Sequence, residues 1–262
     1  MESDVGVVIP AYRPDPERLT RYIADLHAVL DPGEIRVELD VPTTAVTSAL
    51  ADTVASVNTV AHRRGKGAAI RAGFDYLDTE ILAFVDADGS TPPESLAAVI
   101  DPIHAQNADV SVGSRRHPAA TVRVHQSRIR RRLGDLFVRV ARRILPIKLY
   151  DYQCGAKAIS HDWWDVVRDE TVSTGFAWDI EFVTFAQALG ARVHEEPIEW
   201  DDKPGSTVGL KGATSTFAIV LLRSWHRANI IRGNRTHRYF AHLTGAQTSH
   251  VDQTVDRPTE GR

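Results

Sequence analysis

The sequence predicts an α/β fold, a mostly parallel, doubly wound sheet flanked by helices, followed by amphipathic helices near the C-terminal side. Three observations carry that reading. Short continuous apolar runs, Val5–Ile9 and Ile81–Val85, suit strands buried on both faces. Segments with helical spacing fall between such runs. Strands separated by helices of this size need crossover connections, and crossovers make parallel pairs.

The elements follow in order. Val5–Ile9 is the first strand. Pro16–Leu30 places Leu19, Tyr22, Ile23, Leu26, Val29 and Leu30 at helical spacing. Glu34–Leu39 reads as a strand, 44–54 as a helix and 57–61 as a short strand. Residues 66–77 read as a helix and 80–85 as a strand. A helix over 93–106 is entered through Ser90-Thr91-Pro92-Pro93, with proline suited to the first turn. Residues 109–113 form a fifth strand. Arg128–Lys148 is a basic amphipathic helix, with Ile129, Leu133, Leu136, Phe137, Val140, Ile144 and Leu145 in one stripe. Residues 156–160 read as a strand, 178–189 as a helix, 193–200 as a strand and 210–231 as a long helix. Residues 1–243 are expected to form one domain, because no Pro/Gly/Ser linker divides them. The polar tail 244–262 is expected to be disordered.

Composition narrows the function classes. A hydrophobic fraction of 43% and a charged fraction of 25% suit a globular protein able to bury a core without disulfides. The single cysteine, Cys154, has no internal partner, which fits a reducing compartment. A net charge of -3 predicts no nucleic-acid partner. The longest apolar run, Phe217–Leu222, falls well short of the ~20 residues that span a bilayer. With a first strand starting at Val5 and no signal peptide ahead of it, a soluble or peripheral cytoplasmic protein is expected.

The strand Ile81–Val85 runs straight into Asp86-Ala87-Asp88. Ligands of open α/β sheets bind beyond the carboxyl ends of the strands. Two carboxylates one residue apart can offer oxygens to one hard cation, Mg2+ or Mn2+, and such a cation stabilises a diphosphate as it leaves. The alternative is a solvated turn capping the helix that follows.

Five stretches, in order, resemble family 2 glycosyltransferases of the GT-A fold, and among these the dolichyl-phosphate glucose and mannose synthases. They are Val7-Val8-Ile9-Pro10-Ala11-Tyr12, His62-Arg63-Arg64-Gly65-Lys66-Gly67, Phe84-Val85-Asp86-Ala87-Asp88-Gly89, Val112-Gly113-Ser114-Arg115 and Asp151-Tyr152-Gln153-Cys154-Gly155-Ala156-Lys157. The resemblance implies a nucleotide-sugar donor and a polyprenyl or dolichyl phosphate acceptor. It implies that Pro10, Ala11 and Tyr12 line the nucleotide and that Asp40 accepts a hydrogen bond from the base. Lys66 and Gly67 would lie by its phosphates, with Asp86, Ala87 and Asp88 at the sugar and metal. It places Arg115 at the acceptor phosphate, helped by Arg128, Arg131, Gln153 and Lys211, and Asp179 near the acceptor as a base. The chain departs from the family pattern after Tyr12, where Asp15 is the substitute acidic residue. It departs again after Asp88, where Ser90 stands in place of a stronger ligand. The Asp151–Gly155 segment looks more like the glucose-type relatives, which favours UDP-glucose.

Residue chemistry agrees with a phosphate acceptor. Such a group is already ionised near neutral pH and needs positioning more than deprotonation, and arginine's planar fork suits phosphate. Asp179 could instead favour a helix N-terminus. The Lys203–Thr207 loop resembles one that closes over the site. Trp163 and Trp164 are expected in the core. The Arg128–Lys148 and 210–231 helices could rest on the cytoplasmic face of a membrane, drawn by anionic headgroups. Alternatives are a soluble transferase with a small phosphorylated acceptor, a sugar-1-phosphate nucleotidyltransferase and an inactive nucleotide-sugar-binding module. Pro10-Ala11-Tyr12 lacks the Gly-rich, Arg-containing loop of a nucleotidyltransferase.

Overall fold

The computed structural model describes residues 4–123, 128–201, 213–234 and 236–237, with backbone alone for 128–133 and 213–218. Lys211, the Lys203–Thr207 loop, the tail 244–262 and the side chains of Arg128 and Arg131 lie outside the described residues.

The described elements are β1 (Val5–Tyr12), α1 (Pro16–Leu30), β2 (Glu34–Asp40), α2 (Thr44–Leu50), β3 (Ser56–Val60), α3 (Lys66–Phe74), β4 (Ile81–Val85), α4 (Pro93–His104), β5 (Val110–Ser114), β6 (Thr121–Val122), α5 (Arg128–Ile144), β7 (Ala156–Ser160), α6 (His161–Val167), α7 (Trp178–Leu189), β8 (Val193–Pro197), β9 (Glu199–Trp200) and α8 (Ala213–Ile231). The central sheet has seven strands in the order β3-β2-β1-β4-β7-β5-β8. All neighbours pair parallel except β7, which runs antiparallel between β4 and β5. The mostly parallel α/β sheet read from the sequence is therefore the observed one.

Period-2 alternation explains the continuous apolar runs. On β4, Ile81, Ala83 and Val85 pack beneath α1, α2 and α4, while Leu82 and Phe84 pack on the opposite face with α3, α6 and α7. Both faces are covered, so every position is apolar. Helix α3 lies close on β1, where a Cβ at Gly73 would meet Val8 Cγ1 at 2.5 Å. Trp164 fills the second core layer, edge-on to Phe74 at 5.1 Å, with its indole N–H donated to Asp75. Trp163 packs partly buried against the same layer. Both tryptophans therefore serve packing.

The structure adds what sequence periodicity does not show. The expected strand over 193–200 is two strands, and β9 leaves the main sheet to pair with β6. Helix α6 was not anticipated. Helix α5 turns Ala141 to the core, as does Leu145 just past its end, but exposes Leu136 (58%) and Val140 (40%). Helix α8 exposes Ile219, Leu222 and Trp225 while burying Val220, Leu221 and Ala228. No helix among the described residues is long and apolar enough to cross a membrane.

Candidate active site

The carboxyl ends of β1, β2, β4 and β5 open on one edge of the sheet. Because β7 runs backwards, its amino end arrives at the same edge, and Gly155 accepts the backbone N–H of Asp86 at 2.9 Å. Pro10, Ala11, Tyr12, Asp40, Asp86, Ala87, Asp88, Arg115 and Gln153 all lie along this edge. The topology thus gathers five sequence stretches that lie far apart in the chain.

The Asp86 carboxylate sits in a tight cradle. A Cβ at Gly155 would overlap its Oδ2, so glycine is required there by the closeness of that oxygen. Its Oδ1 lies 3.0 Å from Lys66 Nζ. Asp86 keeps 39% of its side chain exposed, whereas Lys66 beneath it keeps 8%. Asp88 Oδ1 accepts the Ser90 amide at 2.9 Å, which turns the chain through Gly89, at φ 67°. The backbone carbonyl of Ser90 accepts from Asp201 N–H.

Behind Asp86 runs a buried series of alternating charges. Lys66 Nζ reaches Asp179 Oδ2 at 3.2 Å. Lys157 Nζ donates to Asp179 Oδ1 at 2.5 Å and to Cys154 O at 2.6 Å. Asp179 is 1% exposed and Lys157 is fully buried. Burial opposes a carboxylate at Asp179, but the Lys157 and Lys66 charges outweigh it and hold its carboxyl below the usual range. Burial likewise opposes the Lys66 ammonium, and the Asp179 and Asp86 charges raise it above an ordinary lysine. A carboxylate closed off this way, with both oxygens on ammonium groups, has no open face for an acceptor. Expected as a base near the acceptor, Asp179 is in this structure the counter-ion between two lysines. Asp179 also lies in the first turn of α7, where the helix N-terminus favours a carboxylate.

The Gly65-Lys66-Gly67 turn is shaped by protein rather than by open space. Gly65 has φ 95°, and a Cβ on it would meet Thr174 O at 2.5 Å. A Cβ on Gly67 would meet Trp178 Cβ at 2.5 Å. The 173–175 segment that packs here is held by Glu181, whose carboxylate accepts from Val172 N, Ser173 N and Ser173 Oγ. The glycines therefore admit this segment to the turn. Asp40 also has local partners. It accepts from Arg64 N, Gly65 N and Arg64 Nε at 2.7, 3.1 and 2.7 Å, and so fixes the turn's entry. Asp15 accepts from Arg18 N at 3.0 Å and caps α1. The Tyr12 ring carries Arg63 at 4.2 Å and Arg13 at 5.3 Å, two cations on one aromatic.

Arg115, one residue past β5, is gripped by Asp151. Nε and Nη2 donate to the two carboxylate oxygens at 2.7 and 3.0 Å, and the Arg115 amide donates to Oδ2 at 3.3 Å. Trp200 supports the guanidinium from one side at 5.3 Å. Asp151 is in turn fixed by the amide of Gln153 and by its own amide on Glu195. Burial would raise the Asp151 carboxyl, but the Arg115 charge and hydrogen bonds hold it below the usual range. Arg115 retains 22% of its side-chain surface exposed. Two strand spacings, about 10 Å, separate β5 from β4. Arg116 next to it binds Asp135 and so ties α5 to the same edge.

Two carboxylates with oxygen donors at a strand end fit a hard cation. Mg2+ is commonly held by one or two carboxylates, with substrate phosphates and water completing the shell. Among the described residues there is no group of three or more His, Cys, Asp or Glu side chains that could hold a metal ion. The Ser90 hydroxyl next to the pair is buried and makes no hydrogen bond.

Sequence reasoning missed Lys157, Asp151 and Glu195 as parts of the site. The charges of Asp151 and Lys157, inside an otherwise apolar and glycine-containing segment, were the available signal.

The family model described as Glycosyl transferase family 2 matches residues 6–167. Glycosyltransferase AglD from Haloferax volcanii is 28% identical over 169 residues, 64% of this chain but 27% of that protein. Polyprenol monophosphomannose synthase from Mycolicibacterium smegmatis is 30% identical over 230 residues, 84% of this chain and 85% of that protein. Among solved structures, glucosyl-3-phosphoglycerate synthase from Mycobacterium tuberculosis, in complex with Mn2+, uridine diphosphate and phosphoglyceric acid, aligns with a TM-score of 0.64 at 16% identity. It covers 84% of this chain and 78% of that one, and at this identity the likeness is one of fold.

Proposed function

Because the chain belongs to glycosyl transferase family 2 and is a glycosyltransferase, we propose that it moves a hexose from a nucleotide sugar to a polyprenyl or dolichyl phosphate, with inversion. The observation that carries this reading is the Arg115–Asp151 clamp beside the Asp86–Asp88 pair. A preorganised guanidinium is a phosphate receptor, and its place two strands from the carboxylates at the same end of the sheet suits an acceptor next to a donor sugar. Similarity to a polyprenol monophosphomannose synthase over most of both chains supports the same acceptor class.

In this reading, an oxygen of the acceptor phosphate attacks the anomeric carbon from behind. The new bond joins that oxygen to the carbon, and the bond from the carbon to the diphosphate breaks. The nucleoside diphosphate leaves with the electron pair. A phosphate has its second pKa near 6 and arrives ionised, so no side chain need take a proton. That agrees with the closed environment of Asp179. Arg115 holds the attacking group, with two donors committed to Asp151 and the rest of its fork free to face phosphate. Pro10, Ala11 and Tyr12 border the nucleotide end, and Asp40 holds the turn beside it. Asp86 and Asp88 would hold a divalent cation, which when bound would offset charge on the diphosphate.

UDP-glucose is the favoured donor, on the likeness of Asp151–Gly155 to glucose-type enzymes. We place the enzyme on the cytoplasmic membrane surface through α5 and α8. Leu136 and Val140 with exposed Arg139 and Arg143, and Leu222 and Trp225 with exposed Arg223, give each helix apolar and basic side chains open to solvent. A transfer assay with labelled UDP- and GDP-sugars, dolichyl phosphate and Mg2+ or Mn2+ tests the proposal. Phosphoglycerate in place of the lipid separates it from the small-acceptor alternative.

A further inference from the structure

The series Lys157–Asp179–Lys66–Asp86 links the buried core to the mouth of the site. Burying an ammonium as completely as Lys157 is unfavourable unless it is paired. The segment needs no lysine there to fill space, because its β7 neighbours Ala156, Ala158 and Ile159 are all apolar and fully buried. Lys157 faces Asp179, and Asp179 faces Lys66. Only Lys66 reaches out to Asp86, at the mouth of the site. Asp86 thus shares its negative charge with an internal cation whose own hold on it is divided with Asp179.

We propose that Lys157 and Asp179 are positioning residues that set, through Lys66, how much charge Asp86 offers to a divalent cation. Lys66 is a resident competitor for the Asp86–Asp88 pair. In the donor-free protein it half-neutralises the pair and keeps free cation weakly bound. A nucleoside diphosphate brings the missing negative charge, so cation and donor bind together. Asp179 draws Lys66 back from Asp86, and Lys157 limits that pull by neutralising Asp179. This inference rests on the transferase reading for the identity of the cation site, but its test does not depend on turnover.

The two positioning residues should act with opposite signs. Lys157→Met leaves Asp179 uncompensated, draws Lys66 inward and frees Asp86. Asp179→Asn releases Lys66 onto Asp86. Free Mn2+ affinity, read by electron paramagnetic resonance on nucleotide-free protein, should therefore rise roughly three- to tenfold in K157M and fall by a similar factor in D179N, since single charges at this range act on that scale. The double variant should return close to the wild-type value. Mn2+ binding in the presence of UDP should move less, because the diphosphate supplies ligands of its own. A purely structural role would weaken Mn2+ binding in both variants, and that outcome overturns the proposal. So does an unchanged affinity in both, or wild-type protein that takes up no Mn2+ with or without UDP. If K157M fails to fold, Lys157→Gln removes the charge and keeps a donor for Cys154 O, and the same rise is expected. Transfer activity is scored separately: wild-type protein that binds Mn2+ as described but transfers no sugar defeats the transferase reading and leaves this inference standing.

Discussion

Asp151 grips Arg115 through two parallel hydrogen bonds, of 2.7 Å to Nε and 3.0 Å to Nη2, from a carboxylate that is 2% exposed. The pair fixes the plane of the guanidinium before any ligand arrives. Arg115→Lys keeps the charge and loses the fork. One charge-assisted hydrogen bond contributes about 1.5–3 kcal/mol, so kcat/KM for the phosphate acceptor should fall roughly 10- to 100-fold. Donor affinity should change little. Steady-state kinetics with each substrate varied in turn would show the split, and an equal loss on both substrates would place Arg115 elsewhere.

Removing the carboxylate tests the same pair from the other side. Asp151→Asn leaves Arg115 uncompensated in a largely buried place, and breaking such a pair costs about 3 kcal/mol or more. The folded Asp151 carboxyl lies below its unfolded value, so its contribution is present above the unfolded value, ~3.9, and is lost as pH falls through the folded one. Urea midpoints of wild type and D151N should differ most near pH 7 and converge toward pH 2. A gap that stays constant on acidification would contradict the assignment.

The approach of Gly155 to Asp86 predicts a sharp contrast between two glycines. A Cβ at Gly155 overlaps the Asp86 carboxylate, while one at Gly175 meets nothing within 4 Å. Gly155→Ala must displace the carboxylate or the start of β7, and turnover should drop about tenfold or more, as misplacement of a binding group does. Gly175→Ala should keep near-wild-type turnover. Equal activities in the two variants would show that Asp86 is not held where it is used.

Cys154 is fully buried, and burial pushes its thiol up to about 11. No thiolate is available near neutral pH, so labelling by a disulfide reagent should wait on opening of the structure. The labelling rate should track denaturant concentration. Fast labelling of native protein at pH 7.5 would refute this packing at the start of β7.

Membrane attachment is checked at Leu222 and Trp225, both exposed on α8. Replacing both by Glu should lower co-sedimentation with anionic liposomes by about tenfold or more, since each buried side chain of this size contributes about 1.5–3 kcal/mol. Activity on a short, soluble polyprenyl phosphate should survive. Unchanged co-sedimentation would move the attachment site elsewhere.

The parallel framework was legible because β1 and β4 are buried on both faces and leave an unmistakable apolar run. The direction of β7 was not, since side-chain alternation is the same for a strand read either way. That reversal brings Gly155 and Asp151 to the edge where β4 and β5 end. The Asp86–Asp88 pair and Arg115 could be read from their places after strands. The Lys157–Asp179 pair could not, because its members lie 22 residues apart and meet only when α7 crosses behind the sheet. The burial of Asp179 between two lysines could not be read either, because an exposed aspartate and a buried counter-ion are the same letter. For Asp15, the visible signal, an acid just before a helix-starting proline, was that of a cap.

Transfer itself is the most direct measurement. Purified protein, dolichyl phosphate in detergent or liposomes, Mg2+ or Mn2+ and a panel of radiolabelled UDP- and GDP-sugars should yield labelled lipid from at least one donor, with UDP-glucose first. The product should vanish with EDTA and in Asp88→Ala, while D88A keeps its fold by circular dichroism. Absence of lipid-linked product from every donor, or undiminished product in D88A, would contradict the account.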